Sequence, residues 1–441
     1  MASRPNFVFI LADDLGYADL GCYGGRPGAS GAPFSTCSPA LDRMAREGLR
    51  FTQGYANSSV CSPTRVALMT GRWQHRLRGG ADEPIRSDAR GNPALGLPPE
   101  HPTLPSLLRD AGYATALVGK WHLGYPPHFG PLKSGYQEFF GALSGGMDYF
   151  THRDTAGRHD LYDNDAEVHL KGYLTDLISD RAVEFIGRQR KGPFLLSVHY
   201  NAPHWPWLTR EDEAESRRIE KIYHFDGGSV VTYLTMIRQM DEGIARILKA
   251  LKAAGADRET LVVFTSDNGG ERFSDTWPLV GKKMDLLEGG IRVPYIVRWP
   301  ARIAAGRSTD QIAITMDWVA TFLEAAGVKA HPDYPLDGVS LLRVLKDPSR
   351  TITRELYWKM LFRDQRAVRA GDWKYLSVDG NEFLFNIAKD QRERANLARR
   401  DPKRLDRMRA RYLAWEAELP KHLDARYSVP ATSADLVTPS S

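Results

Sequence analysis

The amino-acid sequence predicts an α/β protein: a large, mostly parallel sheet sandwiched by helices, followed by a smaller antiparallel sheet with one covering helix. Three observations lead there. Short apolar runs alternate with helical patterns through the first three quarters of the chain, which is how parallel strands joined by crossover helices read in sequence. Leu261-Val-Val-Phe-Thr265 is apolar almost throughout, as a strand buried on both faces must be. After about Gly338 the pattern changes to short strands separated by turns.

The candidate strands of the large sheet are Phe7–Leu11, Ala114–Val118, Phe194–His199, Leu261–Thr265 and Val293–Val297. Helical patterns fall between them at Leu41–Glu47, Ser106–Arg109, Tyr173–Arg188, Val230–Ala253 and Met316–Ala326. In the C-terminal part, Val368–Ser377 holds two short strands about a turn and Glu382–Phe385 supplies another. A charged amphipathic helix then runs from about Pro402 to Leu419. The expected division is residues 1–338 for the large domain, 339–427 for the smaller one and 428–441 for a loose tail rich in Pro, Ser, Thr and Ala.

A chain of 441 residues exceeds what one compact core usually holds. Its 59 basic and 54 acidic residues leave a net charge of +5. That excess is scattered, without the Lys/Arg block that marks nucleic-acid or membrane binding, so neither partner is expected. Three cysteines cannot build a disulfide framework; Cys22 and Cys37, which flank a Gly-rich loop, are expected as free thiols. No apolar run approaches the ~20 residues of a membrane span. Met1–Pro5 lead straight into the first core strand, so the chain as given reads as cytoplasmic, and a removed leader would leave a periplasmic or secreted location open. Oligomeric state leaves no trace in the sequence.

Chemistry concentrates at two strand ends. Strand Phe7–Leu11 runs into Ala12-Asp13-Asp14-Leu15-Gly16, and Leu261–Thr265 runs into Ser266-Asp267-Asn268-Gly269-Gly270. In open parallel sheets the carboxyl ends of strands border the ligand crevice. Three carboxylates and an amide oxygen form a hard donor set suited to Ca²⁺ or Mg²⁺. Either motif alone reads equally well as turn chemistry; both together point to a metal. A third stretch, Cys61-Ser-Pro-Thr-Arg65 followed by Val-Ala-Leu-Met-Thr-Gly-Arg72, has proline at +2 and arginine at +4 from a cysteine. A second Cys-Ser-Pro begins at Cys37 but continues Ala40-Leu41, lacks the arginine and reads as ordinary loop.

The Cys61 motif resembles the signature of the type I sulfatases of the alkaline phosphatase superfamily. Further matching blocks follow in family order: Ala12-Asp-Asp-Leu-Gly-Tyr17, Gly119-Lys-Trp-His-Leu-Gly124, Asn201-Ala-Pro-His-Trp-Pro206, Ser266-Asp-Asn-Gly-Gly270 and Gly281-Lys-Lys-Met-Asp-Leu-Leu-Glu-Gly-Gly-Ile-Arg-Val-Pro294. Leu384–Asp390 and Asn396-Leu397 look like the family's C-terminal domain. The resemblance covers nearly everything except the tail.

That resemblance implies an arylsulfatase-like sulfuric ester hydrolase whose Cys61 is oxidised to formylglycine by a formylglycine-generating or anaerobic sulfatase-maturing enzyme. It implies Asp13, Asp14, Asp267 and Asn268 as ligands of Ca²⁺ (or Mg²⁺), with residue 61 completing the shell. A thiolate is too soft for such an ion, whereas an aldehyde hydrate offers hydroxyl oxygen. Arg65 would hold the formylglycine, Lys120 would contact it and the sulfate, and His122 would act as base on the sulfated intermediate. His204 and one of Lys282/Lys283 would grip the sulfate and help the leaving oxygen depart; family spacing from Glu288 selects Lys283. His75, His128, His152 and His159 have no matched role, and Ser144–Asp148 does not align with a sulfate-contacting position.

Three other functions compete: a phosphonate monoester or phosphodiester hydrolase of the same superfamily, a non-catalytic binder of sulfated ligands should Cys61 stay a thiol, and a Cys–His thiol hydrolase. The substrate is a small-molecule or saccharide sulfate ester, aryl or sugar. Trp205, Trp207, Tyr149 and Phe150 are candidates for a mouth that stacks on its ring.

Overall fold

Asn6–Ala12 forms the centre of the large sheet because it pairs in parallel on both sides, with Phe194–His199 and with Thr260–Ser266. The chain is described from a computed structural model over residues 4–25, 37–188, 192–222 and 227–421. The expected tail, 428–441, and the loop 26–36 between Cys22 and Cys37 lie outside the described residues. Across the sheet the strands run Arg307–Thr309, Leu49–Phe51, Tyr295–Arg298, Thr260–Ser266, Asn6–Ala12, Phe194–His199, Ala114–Gly119, Glu138–Ala142, Leu161–Asp163 and Ala166–Glu167. The middle of this order is parallel. Tyr295–Arg298 is antiparallel to both its neighbours, and so is the edge hairpin at 161–167.

Alternate residues of each central strand feed two cores, as a two-residue side-chain period requires. Val8, Ile10, Leu196, Val198, Val262 and Phe264 share one face with the helices Pro39–Arg46, Leu174–Arg188 and Val230–Ala253. Phe7, Phe9, Leu195, Leu261 and Val263 share the other with Cys61–Thr70, Leu104–Asp110 and Asp317–Ala326. Local signals set the helix starts: Thr103 and Ser106 form a reciprocal capping box, and Ser229 accepts from Thr232 N–H. Among the described residues no helix is long and apolar enough to cross a membrane.

The second sheet is a four-stranded antiparallel meander, Glu355–Met360, Gln365–Ala370, Trp373–Val378 and Asn381–Asn386. Helix Pro402–Ala417 covers it with Leu405, Met408, Tyr412 and Trp415. This core is shared: Val60, Ala67, Met284, Leu286 and Ile291, all from the first part of the chain, pack into it. Leu341, Leu342, Val344 and Leu345, just past Gly338, pack with the large sheet instead.

Three local expectations change. Cys37-Ser38-Pro39 is more than loop, since Pro39 opens a helix at the first-turn position that tolerates its missing N–H. The strand expected at Val293–Val297 is Tyr295–Arg298. Helix Cys61–Thr70 carried no periodic signal, because all ten of its residues are buried and it shows no polar stripe. Cys22 and Cys37 are free thiols, as expected, and Cys61 forms no disulfide.

Candidate active site

The two acidic motifs meet because their strands are neighbours in register. Ala12 pairs with Ser266, so Asp13-Asp14 and Asp267-Asn268 leave the sheet side by side. Leu15 N–H donates to Ser266 Oγ, which in turn donates to the Asn268 carbonyl, binding the two turns to each other. Asp14 sits at φ 64°, a left-handed conformation that aspartate tolerates better than most residues. Gly269 is required by crowding: a Cβ there would lie 2.0 Å from the Gly289 carbonyl oxygen.

Cys61 is the first residue of its helix, where unpaired N–H groups and the positive end of the helix dipole favour a negative charge. Each motif residue after it has a structural task. Ser62 Oγ accepts from Ile85 N–H, and the Ile85 carbonyl holds His122 Nε2 at 2.8 Å. Thr64 Oγ1 donates to the Ser58 carbonyl and accepts from its N–H, which fixes the approach to the helix. Arg65, buried to 1% exposure, donates from Nε and Nη2 to Asp267 Oδ2 at 3.0 and 2.9 Å, and from Nη1 to the Lys120 carbonyl.

The strand Ala114–Gly119 delivers the next pair. At Gly119 a Cβ would lie 1.9 Å from the His199 carbonyl, so the chain turns there only as glycine. Lys120 Nζ then reaches Asp13 Oδ2 at 2.5 Å, both groups fully buried. His122, at φ 60°, is buried with Nδ1 lacking a hydrogen-bond partner. Lys283 Nζ lies 2.7 Å from Asp14 Oδ2 and 3.3 Å from His204 Nε2. Lys282 is exposed, and its backbone N–H merely caps Asp285. Geometry thus separates the adjacent lysines in favour of Lys283.

Ligand atoms of Asp13, Asp14, Cys61 and His204 all lie within 4.8 Å of one another. Two observations suit this cluster to a hard divalent cation. Asn268 donates from Nδ2 to Asp14 Oδ1, leaving its own Oδ1 buried and without a partner. Arg65 occupies only Oδ2 of Asp267, and Oδ1 accepts just a long 3.4 Å contact from Asp14 N–H. The carboxylates of Asp13, Asp14 and Asp267 face the cations of Arg65, Lys120 and Lys283. That set is charge-balanced, so a bound dication would leave it net positive toward an anion.

Electrostatics assign protonation states. Burial pushes the Cys61 thiol well above its ordinary range, and the opposing pull of Lys120 and Lys283 is the smaller effect. An unmodified Cys61 is therefore a protonated thiol, which is a poor nucleophile. Burial raises Asp14, but Lys283 and then His204 outweigh it and hold the carboxylate well below its usual range. Burial, reinforced by Asp13, raises Asp267 to about 7. Burial and then Lys283 lower His204 to about 3, and burial with Lys120 and Arg65 lowers His122, so both imidazoles are neutral.

Sequence reasoning missed several neighbours. Glu271 Oε2 lies 4.0 Å from Lys283 Nζ, and burial raises its carboxyl to about 7. Tyr149 OH holds the His204 carbonyl, and Gln365 brackets Met284 and Leu286. Glu271 directly follows a recognised motif; Gln365 had no signal at all. The expected aromatic mouth needs correction. Tyr149 is fully buried on Tyr173, and Trp207 is buried on Phe273, because both fill gaps beneath the loops. Trp205, whose ring lies 4.2 Å from His204, and Phe150 are the partly exposed pair. His152 and His159 lie in the segment before the edge hairpin, their rings 6.3 Å apart.

The sulfatase family profile matches residues 5–328, and a profile for the C-terminal region of N-sulphoglucosamine sulphohydrolase matches residues 277–408. The chain belongs to the sulfatase family. N-acetylgalactosamine-6-sulfatase of Rattus norvegicus is 34% identical over 368 residues, 77% of this chain and 65% of that protein. Arylsulfatase J of Mus musculus is 29% identical, covering 91% of this chain and 74% of its own. The chain thus spans about two thirds of the length of the first of these relatives. Among solved structures, Ps i-CgsB superposes with a TM-score of 0.84 at 30% identity, over 95% of this chain and 94% of its own. A second structure of Ps i-CgsB is in complex with k-i-k-neocarrahexaose.

Proposed function

We propose that the protein hydrolyses sulfate esters, most directly those of saccharides, using formylglycine made from Cys61 and a divalent cation. The observation that carries this reading is the position of Cys61: first residue of a buried helix, 3.4 Å from Asp13 Oδ1, with Arg65 anchored on Asp267. Asp13, Asp14, Asp267 and Asn268 would hold Ca²⁺ or Mg²⁺, which supplies charge stabilisation and lowers the pKa of a bound hydroxyl. The Cys61 sulfur stands where one hydroxyl of the hydrated aldehyde would be. Hydration would supply two hydroxyls on one carbon, one as nucleophile toward sulfur with the alcohol as leaving group, the other to release sulfate by C–O cleavage.

The remaining work falls to this chain's own side chains. Lys120 and Lys283, held by Asp13 and Asp14, would offset negative charge on the transferring group. Lys283 would be the proton donor beside the leaving oxygen, and neutral His204, its Nε2 3.3 Å from Lys283 Nζ, would orient it and relay the proton. His122 is neutral with one free ring nitrogen, as the base that removes a proton from the second hydroxyl must be.

Mass spectrometry of the peptide containing residue 61, together with sulfate release from p-nitrophenyl sulfate, tests the proposal. We expect an aldehyde at residue 61 and turnover that Cys61→Ala abolishes without loss of fold. Wild-type rates in that variant would overturn it. Faster turnover of a phenylphosphonate ester than of the sulfate would move the reading to the phosphonate hydrolases.

A further inference from the structure

The loop between Asn268 and Lys283 begins and ends in the site described above, and at its outer turn it carries Trp277. The loop is anchored rather than loose. Asp275 N–H donates to Asp19 Oδ1, Trp277 N–H donates to Asp275 Oδ1, and Leu279 N–H donates to the Thr276 carbonyl. Trp277 nevertheless stays 61% exposed. Its ring is met from the C-terminal unit by Arg392, whose guanidinium carbon lies 4.5 Å from the ring centroid. An exposed indole with a guanidinium on it contributes little to folding, so the pairing calls for another explanation.

Arg392 differs from the ion-paired arginines of its unit. Arg363, Arg404 and Arg409 of the same unit are paired with Asp379, Asp401 and Glu382. Among the described residues Arg392 meets no carboxylate, and its Nε is buried without a hydrogen-bond partner. Its backbone is nonetheless held firmly. The next residue, Glu393, lies in a buried ionic cluster in which Lys374 Nζ contacts Glu393 Oε1 at 2.9 Å and Glu288 Oε1 at 3.0 Å. Glu393 Oε2 also accepts from the Glu288 N–H, five residues beyond Lys283. A firmly held backbone thus carries a guanidinium with one buried, unpartnered nitrogen to an exposed indole on the loop that ends at Lys283.

We propose that Trp277 and Arg392 form a subsite for a neighbouring unit of a sulfated oligosaccharide, the indole stacking on the sugar's C–H face and the guanidinium pairing with an anionic substituent. This inference rests on the sulfatase reading and narrows it to polymeric or oligomeric sulfated saccharides. An indole face suits a pyranose ring, and a planar guanidinium suits the oxygens of a sulfate or carboxylate. Both residues lie outside the groups that contact the reacting sulfur, so their loss should spare small substrates.

The experiment measures p-nitrophenyl sulfate turnover by matured wild type, Trp277→Ala and Arg392→Gln, with carrageenan-type and chondroitin-type sulfated hexasaccharides and the corresponding monosaccharide sulfates as competitors. We expect kcat/KM for p-nitrophenyl sulfate to stay within about twofold in both variants. The inhibition constant of the best hexasaccharide should rise about tenfold or more in each, while that of its monosaccharide moves less than about twofold. Unchanged hexasaccharide inhibition in both variants overturns the subsite. So do hexasaccharides that compete no better than monosaccharides, and so does an equal loss of p-nitrophenyl sulfate turnover, which marks a structural role. Absence of turnover in matured wild type strikes the sulfatase reading instead.

Discussion

The two halves of the site are held by different means. Asp13, Asp14, Asp267 and Asn268 owe their places to two adjacent parallel strands, and the hydrogen bonds that fix them are local to those strand ends. Lys283 is tied to one strand end, where its N–H donates to the Gly270 carbonyl, and beyond that to residues distant in the chain. Met284 N–H bonds the Ser59 carbonyl, Gln365 Nε2 donates to the Met284 carbonyl, and Gln365 Oε1 accepts from Leu286 N–H. Beyond them Glu288 is locked to Lys374 and, through its N–H, to Glu393. The metal-binding half is thus a property of the sheet, whereas the cation facing it also depends on the C-terminal unit.

The largest effect should come from breaking that lock. Lys374 is fully buried between Glu288 and Glu393, and removing one partner of such a group typically costs ~3–5 kcal/mol. Lys374→Met should lower the thermal midpoint accordingly. Burial, only partly offset by Lys374, already raises Glu393 to about 7, so Lys374→Met with Glu393→Gln should recover part of the loss. Equal stability of wild type and Lys374→Met would remove the C-terminal unit from the account. Next in size, Lys283→Ala should cost ~3–4 kcal/mol of transition-state stabilisation, by analogy with oxyanion-hole donors, whereas the exposed Lys282→Ala should stay within about twofold. Steady-state rates of the two variants check this, and equal losses would mean that the geometry has selected the wrong lysine.

The same contrast explains what the sequence could disclose. The strand ends were legible because a buried parallel strand reads as an apolar run, and because two such runs both end in acidic turns. Leu261–Thr265 and Phe7–Leu11 were each found to within one residue at either end. The nucleophile helix was invisible as a helix because burial on every side removes the stripe that periodicity detects. Its chemistry was still legible from the motif. Strand Glu355–Met360 was missed although it alternates buried and part-buried residues, since Glu355 and Lys359 interrupt a simple apolar reading. Gln365 could not have been found, because one glutamine on a short strand says nothing about a loop eighty residues earlier.

On the strand-end side, the prediction concerns the ion. A cation at a hundred times its dissociation constant should add ~2.7 kcal/mol to stability, read as a calcium- or magnesium-dependent rise in thermal midpoint. Asp13→Asn and Asn268→Ala should each erase most of that rise, and Lys374→Met should leave it intact. A rise that survives both strand-end variants would place the ion elsewhere.

The smallest effect is the most discriminating. Gln365 makes both hydrogen bonds that bracket Met284, a residue held at φ 77°, where a side chain other than glycine is strained. Gln365→Ala leaves the Leu286 N–H unsatisfied and frees Met284 to relax, which carries Lys283 away from Asp14. We expect kcat to fall about tenfold, equivalent to ~1.4 kcal/mol, with KM less affected. The decisive comparison is the double variant. If Gln365 acts only by placing Lys283, then Gln365→Ala adds nothing to Lys283→Ala, and the two losses fail to sum. Additive losses would mean that Gln365 supports the site by another route, and the division between a sheet-built half and a C-terminally braced half would have to be redrawn.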